Sequence, residues 1–177
     1  FEFTGQIDSG SVFRSPHNLY LRTAYTFLPT AEFRGMRLSS ITSSATLSVY
    51  CPTTRRVSVT SCSITENRLP YAPRVLMTTS IGYSHPRGFD AFVENVYIGR
   101  QFGDDLNAVN PNSNGQLGAI PSQTYWNATA NYRVEKWRTT FFVTGKNLLD
   151  RIYIVDRTRG LLPSGPRLVQ TGIKVSF

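Results

Sequence analysis

The last eleven residues of the chain, RLVQTGIKVSF, alternate between a mainly polar and a mainly apolar set of side chains. Because successive side chains of a β-strand point to opposite faces, this period of two predicts a strand with one apolar face. Chain ends are usually polar, frayed and dispensable. We therefore expect a structural terminus that belongs to a sheet. The apolar set is Val169, Thr171, Ile173, Val175 and Phe177.

Seven segments of the chain show this alternation, and clusters of Gly, Pro, Asn and Ser separate them. Helical periodicity is almost absent, and charged residues make up only 17% of the sequence, below the roughly 25% of an average soluble domain. Most segments reach the roughly 9 to 11 residues that a tilted strand needs to cross a bilayer. The sequence predicts an all-β antiparallel meander with strands at residues 1–8, 18–28, 74–84, 88–102, 123–133, 138–153 and 167–177.

The connections between these strands differ in length. The stretches 84–88 and 133–138 are short turns, whereas residues 29–73, 103–122 and 154–166 are long and polar. Short turns at one end and long loops at the other are typical of outer-membrane β-barrels. A soluble β-sandwich that binds a ligand also alternates in this way and is the alternative.

Aromatic residues fall at both ends of the apolar face. If the last strand runs toward the periplasm, one group marks the periplasmic ends of the strands and a second group marks the outer interface. Amphipathic rings at two membrane boundaries form such girdles. The pattern is weakest in the segment 88–102, where Asn95 falls on the apolar side and Phe92 on the polar side. The periplasmic group is Tyr83, Phe89, Tyr132 and Phe177, and the outer group is Phe27, Tyr97 and Trp126.

Composition and motifs argue against several other classes of protein. No apolar run is long enough for a transmembrane helix, and the chain opens on FEFTGQID without a signal peptide pattern or an initiator Met, so we expect a piece of a longer protein. The net charge of +8 comes from scattered basic residues, unlike a nucleic-acid surface. Hydrolase, metalloprotease and phosphate-loop motifs are missing, so we expect neither catalysis nor a cofactor.

The block NLLDRIYIVDRTRG (residues 147–160), followed by a strand that ends in Phe, resembles the C-terminal signature of TonB-dependent outer-membrane receptors. The matching residues of this motif are Asn147, Leu148, Asp150 and Tyr153. Blocks within residues 67–133 resemble the preceding strands of the same family, in the family's order. The resemblance covers residues 67–177 well and residues 1–40 loosely.

This resemblance implies that the chain is the C-terminal part of a 22-stranded transmembrane β-barrel in the bacterial outer membrane. The family's plug domain and TonB-contacting segment would precede the chain, and outer-membrane lipid would surround it. Phe177, with Val175 and Ile173, would form the signal that the barrel-assembly machinery recognises. Seven strands are an odd number and do not close an even-stranded barrel.

In function, the resemblance implies active transport of an iron chelate, a ferric siderophore or ferric citrate, energised through TonB. A passive pore or structural barrel is the alternative. Arg157 and Arg159 in the last loop, and Arg55 and Arg56 in an earlier one, present paired donors that suit an anionic ligand. Surface solubility or lipopolysaccharide contact is the other explanation for these four residues.

The long connection at residues 29–73 would be an extracellular loop, and its residues 41–66 have no clear counterpart in the family and suggest an insert. We expect Cys51 and Cys62 in this insert to form a disulfide outside the cytosol, with two free thiols as the alternative. A metal site is not expected, because His17 and His85 are isolated in the sequence. The adjacent carboxylates of Asp104 and Asp105 point apart, which favours a solvated loop end over a cation site.

Overall fold

The computed structural model describes residues 1–176, and its main feature is one seven-stranded antiparallel sheet. Each strand pairs with the next one along the chain, so the sheet is a meander. This arrangement confirms the predicted fold class and number of strands. The strands are β1 (Glu2–Asp8), β2 (Asn18–Phe27), β3 (Val75–His85), β4 (Phe89–Ile98), β5 (Gln123–Val134), β6 (Thr139–Lys146) and β7 (Leu168–Val175).

Three connections at one end of the sheet are short, and we call this the turn end. Helix α1 (Ser9–Phe13) joins β1 to β2, and a 3₁₀ turn (Glu135–Trp137) joins β5 to β6. The turn between β3 and β4 requires Gly88, whose φ is +91° and whose added Cβ would lie 2.2 Å from the carbonyl oxygen of Arg133. A side chain at this position would therefore force the turn away from β5.

One face of the sheet is apolar, and its large side chains are exposed. Ile81 on β3 and Ile173 on β7 are each 63% exposed, and Ile81 lies in register with Leu21 and Val93 on the neighbouring strands. The opposite face carries polar side chains that hydrogen-bond across strands. The Asn127 side-chain amide donates to the Glu94 carboxylate at 3.0 Å. Such alternation follows from the period of two that the sequence shows.

Aromatic residues border the apolar face at both ends, as the sequence predicts. At the turn end Phe89 is in register with Tyr132, and the rings of Tyr83 and Phe89 are 6.1 Å apart between centroids. At the other end Tyr97 and Trp126 lie on the same face. Phe177, the last member of the predicted turn-end group, lies outside the described residues.

At the end opposite the turns, three long connections, residues 28–74, 99–122 and 147–167, pack together, and we call them the loop layer. The layer contains α2 (Ser44–Tyr50), a 3₁₀ turn (Thr53–Arg55) and three short antiparallel ladders. Among residues 1–176, the fully buried apolar side chains lie here rather than in the sheet, with Leu47 and Ile120 both 0% exposed. The ladders pair Arg56–Ser58 with Ser61–Cys62, Gln101–Phe102 with Ala119–Ile120, and Ile154–Asp156 with Leu162–Pro163.

Two predicted strands are too long. The strand predicted at 88–102 ends at Ile98, because residues 101–102 leave the sheet and pair with residues 119–120 in the loop layer. The strand predicted at 138–153 ends at Lys146, because Asn147 has a φ of +50°, in the left-handed region that a strand cannot contain.

The alternative of a soluble β-sandwich does not fit this architecture. A sandwich buries the apolar face of one sheet against a second sheet. Within residues 1–176 the other sheets are two-stranded ladders, and the apolar face of the seven-stranded sheet stays uncovered.

Among the helices within residues 1–176, none combines the length and the apolar character that crossing a membrane would require.

Candidate functional site

A small buried core and a disulfide hold the first part of the loop layer together. Cys51 and Cys62 are bonded, and both lie against Leu47 on α2. The Arg56 guanidinium, one of the four predicted ligand contacts, donates to the carbonyl oxygens of Leu47 at 2.8 Å and Cys51 at 3.3 Å. Its positive charge therefore satisfies the C-terminal carbonyls of α2, where a helix favours cations.

An open pocket of about 300 Å³ lies between this part of the layer and the loop at residues 106–110. Arg55, half-buried, lines the pocket, and its guanidinium donates to the side-chain oxygen of Asn67. Asn107, Asn110 and Ser63 contribute further polar groups to the same pocket. The lining therefore combines one cation with several neutral donors, a composition that suits a small anion.

Arg157 is not the exposed, unpaired loop charge that the sequence suggests. The side chain is 4% exposed, and its guanidinium donates to the carbonyl oxygens of Gly115 at 3.0 Å, Leu117 at 3.3 Å and Ala119 at 3.3 Å. A planar fork of five donors can serve several carbonyls at once. Arg157 thus joins the last loop to the loop before it, and sequence spacing gives no sign of this contact.

Arg159, two residues further, is exposed at the surface of the last loop. The loop below it is fixed by Asp156, whose carboxylate accepts hydrogen bonds from the Tyr71 hydroxyl and from the Thr158 backbone N–H and hydroxyl. These donors lower the pKa of Asp156 to about 2, the Tyr71 hydroxyl contributing most. Arg159 is consequently an exposed charge on a loop that hydrogen bonds hold in place.

Asp104 and Asp105 do not form a solvated loop end. Asp104 is 7% exposed, and its carboxylate accepts from the backbone N–H groups of Ala108 at 3.1 Å and Gly118 at 2.9 Å. Burial raises the pKa of the Asp104 carboxyl, although these backbone donors oppose the shift. Asp105 accepts from the Ser39 hydroxyl at 2.6 Å. Both carboxylates therefore connect segments of the loop layer.

The motif residues Asn147, Leu148, Asp150 and Tyr153 form the joint between β6 and the last loop. The Asn147 side-chain amide donates to the carbonyl oxygens of Arg151 and Gly165, and the Asp150 carboxylate accepts from the Arg167 backbone N–H at 2.7 Å. Leu148 donates its backbone N–H to Trp126, and the Tyr153 hydroxyl donates to the Thr124 carbonyl at 3.0 Å. The motif is structural, since it turns the chain and aligns β7.

The two remaining described residues of the predicted assembly signal, Ile173 and Val175, lie on the apolar face of β7. Ile173 is in register with Phe141 and Val175 with Thr139 on β6. β7 pairs with β6 on one side and is an edge of the sheet on the other. Its unpaired edge is available for another strand.

The two histidines, far apart in sequence, meet at the turn end. The rings of His17 and His85 are 5.0 Å apart between centroids, and His17 Nδ1 is 2.7 Å from the Tyr83 hydroxyl. Across residues 1–176 no group of three potential metal ligands occurs.

A buried arginine that sequence reasoning missed holds the two ends of the first long connection together, beside the end of β2. Arg68 is 8% exposed, and its guanidinium donates to the carbonyl oxygens of Leu28 at 2.6 Å, Pro29 at 3.1 Å and Ala72 at 2.7 Å. Burial lowers the pKa of Arg68, and the nearby Arg74 adds to the effect. An isolated Arg in a polar loop carries no pattern that distinguishes such a role.

Comparisons with known proteins extend this description. No family model and no curated protein matches the chain. The solved structures that resemble it include the ferric citrate transporter FecA in its unliganded form, with a TM-score of 0.67 and 19% identity over 97% of this chain. They also include the siderophore receptor PiuA from Acinetobacter baumannii, with a TM-score of 0.56 and 16% identity over 89%. The chain spans less than a quarter of each, 23% and 22% of their lengths. It therefore has the fold of one portion of such a receptor barrel, which confirms the predicted resemblance at the level of the fold.

Proposed function

We propose that this chain forms the C-terminal wall and outer loops of an outer-membrane receptor that imports an iron chelate with energy supplied through TonB. The observation that carries the proposal is the seven-stranded meander, which is apolar and exposed on one face. At one end it joins a loop layer that a disulfide and buried arginines hold together. A sheet exposes such a face only where hydrocarbon or another apolar surface covers it. The polar face would then line the lumen of the complete barrel.

The proposed ligand is a small anion such as ferric citrate. The chain carries a net charge of +8, and the only ion pair within residues 1–176 joins Arg34 to Glu32. Unpaired cations at the loop end would raise the local concentration of an anionic chelate. Arg159 at the surface and Arg55 in the polar pocket are the proposed contacts, while Arg56 and Arg157 hold the layer in shape.

Binding of ferric citrate to the complete receptor in detergent tests this assignment. We expect the double substitution Arg55→Gln and Arg159→Gln to weaken binding several-fold at low salt and to flatten its dependence on ionic strength. Arg37→Gln, a change at an exposed loop arginine that does not line the pocket, is the matched control. Equal affinity and an equal salt response in the double variant and the wild type would show that the ligand is held elsewhere.

Uptake in cells separates the receptor from the passive pore. A receptor energised through TonB should accumulate the chelate only when TonB and the proton gradient are intact. A pore would admit small solutes without either. Uptake that persists after removal of TonB would favour the passive barrel.

A further inference from the structure

A cluster of basic side chains lies on the polar face of the sheet at the turn end, far along the strands from the loop layer. Thr140 on β6 is in register with Arg133 on β5 and with Lys174 on β7. These three side chains therefore share one face at one level. With Arg138 and Ser176 they line an open pocket of about 370 Å³.

Within residues 1–176, the three cations of this pocket have no carboxylate partner. Arg133, Arg138 and Lys174 are all exposed, and none forms an ion pair with another residue of the described part of the chain. Neighbouring strands lie roughly 4.8 Å apart, so the β5 and β7 backbones are only about 10 Å apart here. Like charges at this spacing repel each other, and a bound anion would remove that repulsion.

The nearest acidic groups of the sheet and turn do not fill this role. The Asp90 carboxylate on the same face already accepts from the Tyr20 hydroxyl at 3.2 Å and from the Asn131 side-chain amide at 3.3 Å. Glu135 begins the adjoining turn, but it is exposed and is not part of the pocket lining. The described residues that line the pocket are three cations and two residues with hydroxyl groups.

The cluster does not face lipid. At the same level the apolar face carries Tyr132 on β5, Phe141 on β6 and Ile173 on β7, each in register with its neighbour. Side chains one position along the strand point to the opposite face. An anionic headgroup of the surrounding bilayer would therefore meet these apolar side chains and not the basic cluster.

We propose that this pocket binds a small oxyanion, a phosphate or a carboxylate, at the turn end of the lumen. The inference rests on the proposed function, because that function makes the polar face a lumen wall and the turn end its periplasmic mouth. Two guanidinium groups offer paired donors to oxyanion oxygens, Lys174 adds a third cation, and the Thr140 and Ser176 hydroxyls add neutral donors. An anionic cargo attracted at the loop end would meet a second basic site where it leaves.

Calorimetric titration of the complete receptor in detergent tests the site, with inorganic pyrophosphate and iron-free citrate as separate probes at low salt. We expect binding of at least one probe, and the stronger of the two identifies phosphate or carboxylate as the preferred chemistry. Arg133→Gln combined with Lys174→Gln should weaken that binding at least about tenfold. Both side chains are exposed, so the variant is expected to fold. Lys136→Gln lies in the turn between β5 and β6, outside the pocket lining, and is the matched control. This variant should bind the probe as the wild type does.

The proposal is overturned if the wild type binds neither probe, if the double variant binds as tightly as the wild type, or if Lys136→Gln loses as much affinity as the double variant. Ferric citrate binding at the loop end, measured on the same samples, separates this outcome from a failure of the proposed function. We expect the pocket variant to retain that binding. Absence of ferric citrate binding in the wild type would contradict the proposed ligand and leave the pyrophosphate result to decide the pocket.

Discussion

In the seven-stranded sheet Ile81 and Val169 are 63% and 62% exposed, whereas in the loop layer Leu47 is fully buried and Ile64 is 3% exposed. The same kind of side chain therefore has opposite surroundings in two regions of one chain. In the sheet, order comes from the backbone ladders, which pair each strand with the next. In the loop layer, order comes from buried apolar contacts, a disulfide and side chains that donate to backbone carbonyls.

Under the proposed function this difference has a simple cause, because the two regions would face different solvents. In hydrocarbon, every backbone polar group must be hydrogen-bonded within the protein, whereas exposure of an Ile side chain costs no free energy. Water tolerates open backbone groups but favours burial of apolar side chains. The loop layer is therefore built as a small water-soluble domain is built, and the sheet as a barrel wall. Substitutions in the sheet and in the loop layer should therefore change stability in different ways.

The largest effect is expected for a charge placed on the apolar face of the wall. Ile81→Lys puts an ammonium group at the middle of β3, where lipid would surround it, and should lower the free energy of unfolding by about 2 to 4 kcal/mol. Ser80→Lys, one position away on the polar face, should change it little. Urea unfolding of the complete receptor in lipid vesicles measures both. Similar losses for the two lysines would mean that the apolar face is not in contact with lipid.

Loss of the disulfide should act on the loop layer alone. Replacement of Cys51 and Cys62 by Ser removes a cross-link over 11 residues and should cost about 3 kcal/mol of loop-layer stability by the chain-entropy argument. Hydrogen exchange should quicken for amides of α2 and the adjoining ladder, while amides of β3 and β4 should keep their protection. Faster exchange throughout the wall would show that the two regions unfold together.

The wall could be predicted from the sequence because one physical rule governs it. Alternation assigns each side chain to a face, and seven alternating segments give the seven strands in their order. Errors arose only at strand ends. Asn147 and Asp150 adopt left-handed backbone with φ values of +50° and +52°, and neither residue type forces that conformation.

The loop layer could not be predicted to the same extent, because its contacts join residues far apart in the chain. Arg157 donates to carbonyl groups about 40 positions away, and Asp105 accepts from Ser39, 66 positions away. A carbonyl acceptor is present in every residue, so no sequence pattern marks the partners of such side chains. Charge alone suggested that Arg56 and Arg157 contact a ligand, whereas in the structure both donate to backbone carbonyls within the layer, as the unpredicted Arg68 does.

A smaller effect is expected when Arg157 is shortened. Arg157→Gln should leave at least one of its three carbonyl partners without a donor and lower loop-layer stability by about 2 kcal/mol. Arg159→Gln, an exposed change in the same loop, should leave stability within about 0.5 kcal/mol of the wild type. Limited proteolysis at rising temperature detects thermal unfolding of the loop layer and compares the two variants. Equal cleavage profiles would show that the buried guanidinium does not hold the loops together.

The smallest effect concerns acid, and two carboxyl groups of the loop layer act in opposite directions. The pKa of Asp156 falls from 3.8 to about 2 in the folded protein, so its contribution to stability is present above pH 3.8 and is lost as pH falls toward 2. The pKa of Asp104 is raised by burial, so its contribution is present below pH 3.8 and is lost as pH rises through the raised pKa.

Removal of each carboxyl group should therefore change the acid response with opposite sign. Between pH 4 and pH 2, Asp156→Asn should make loop-layer stability less sensitive to acid, because the group that the Tyr71 hydroxyl and Thr158 stabilise as a carboxylate no longer titrates. Asp104 binds a proton more readily in the folded protein than in the unfolded chain, so the wild-type loop layer should gain stability as pH falls toward 4. Asp104→Asn removes this group, and the gain should disappear. Hydrogen exchange corrected for the intrinsic effect of pH measures both slopes. If both variants keep the wild-type slopes, neither carboxyl group changes its pKa when the loop layer folds, and the hydrogen bonds to Asp156 and the burial of Asp104 do not couple the stability of this layer to pH.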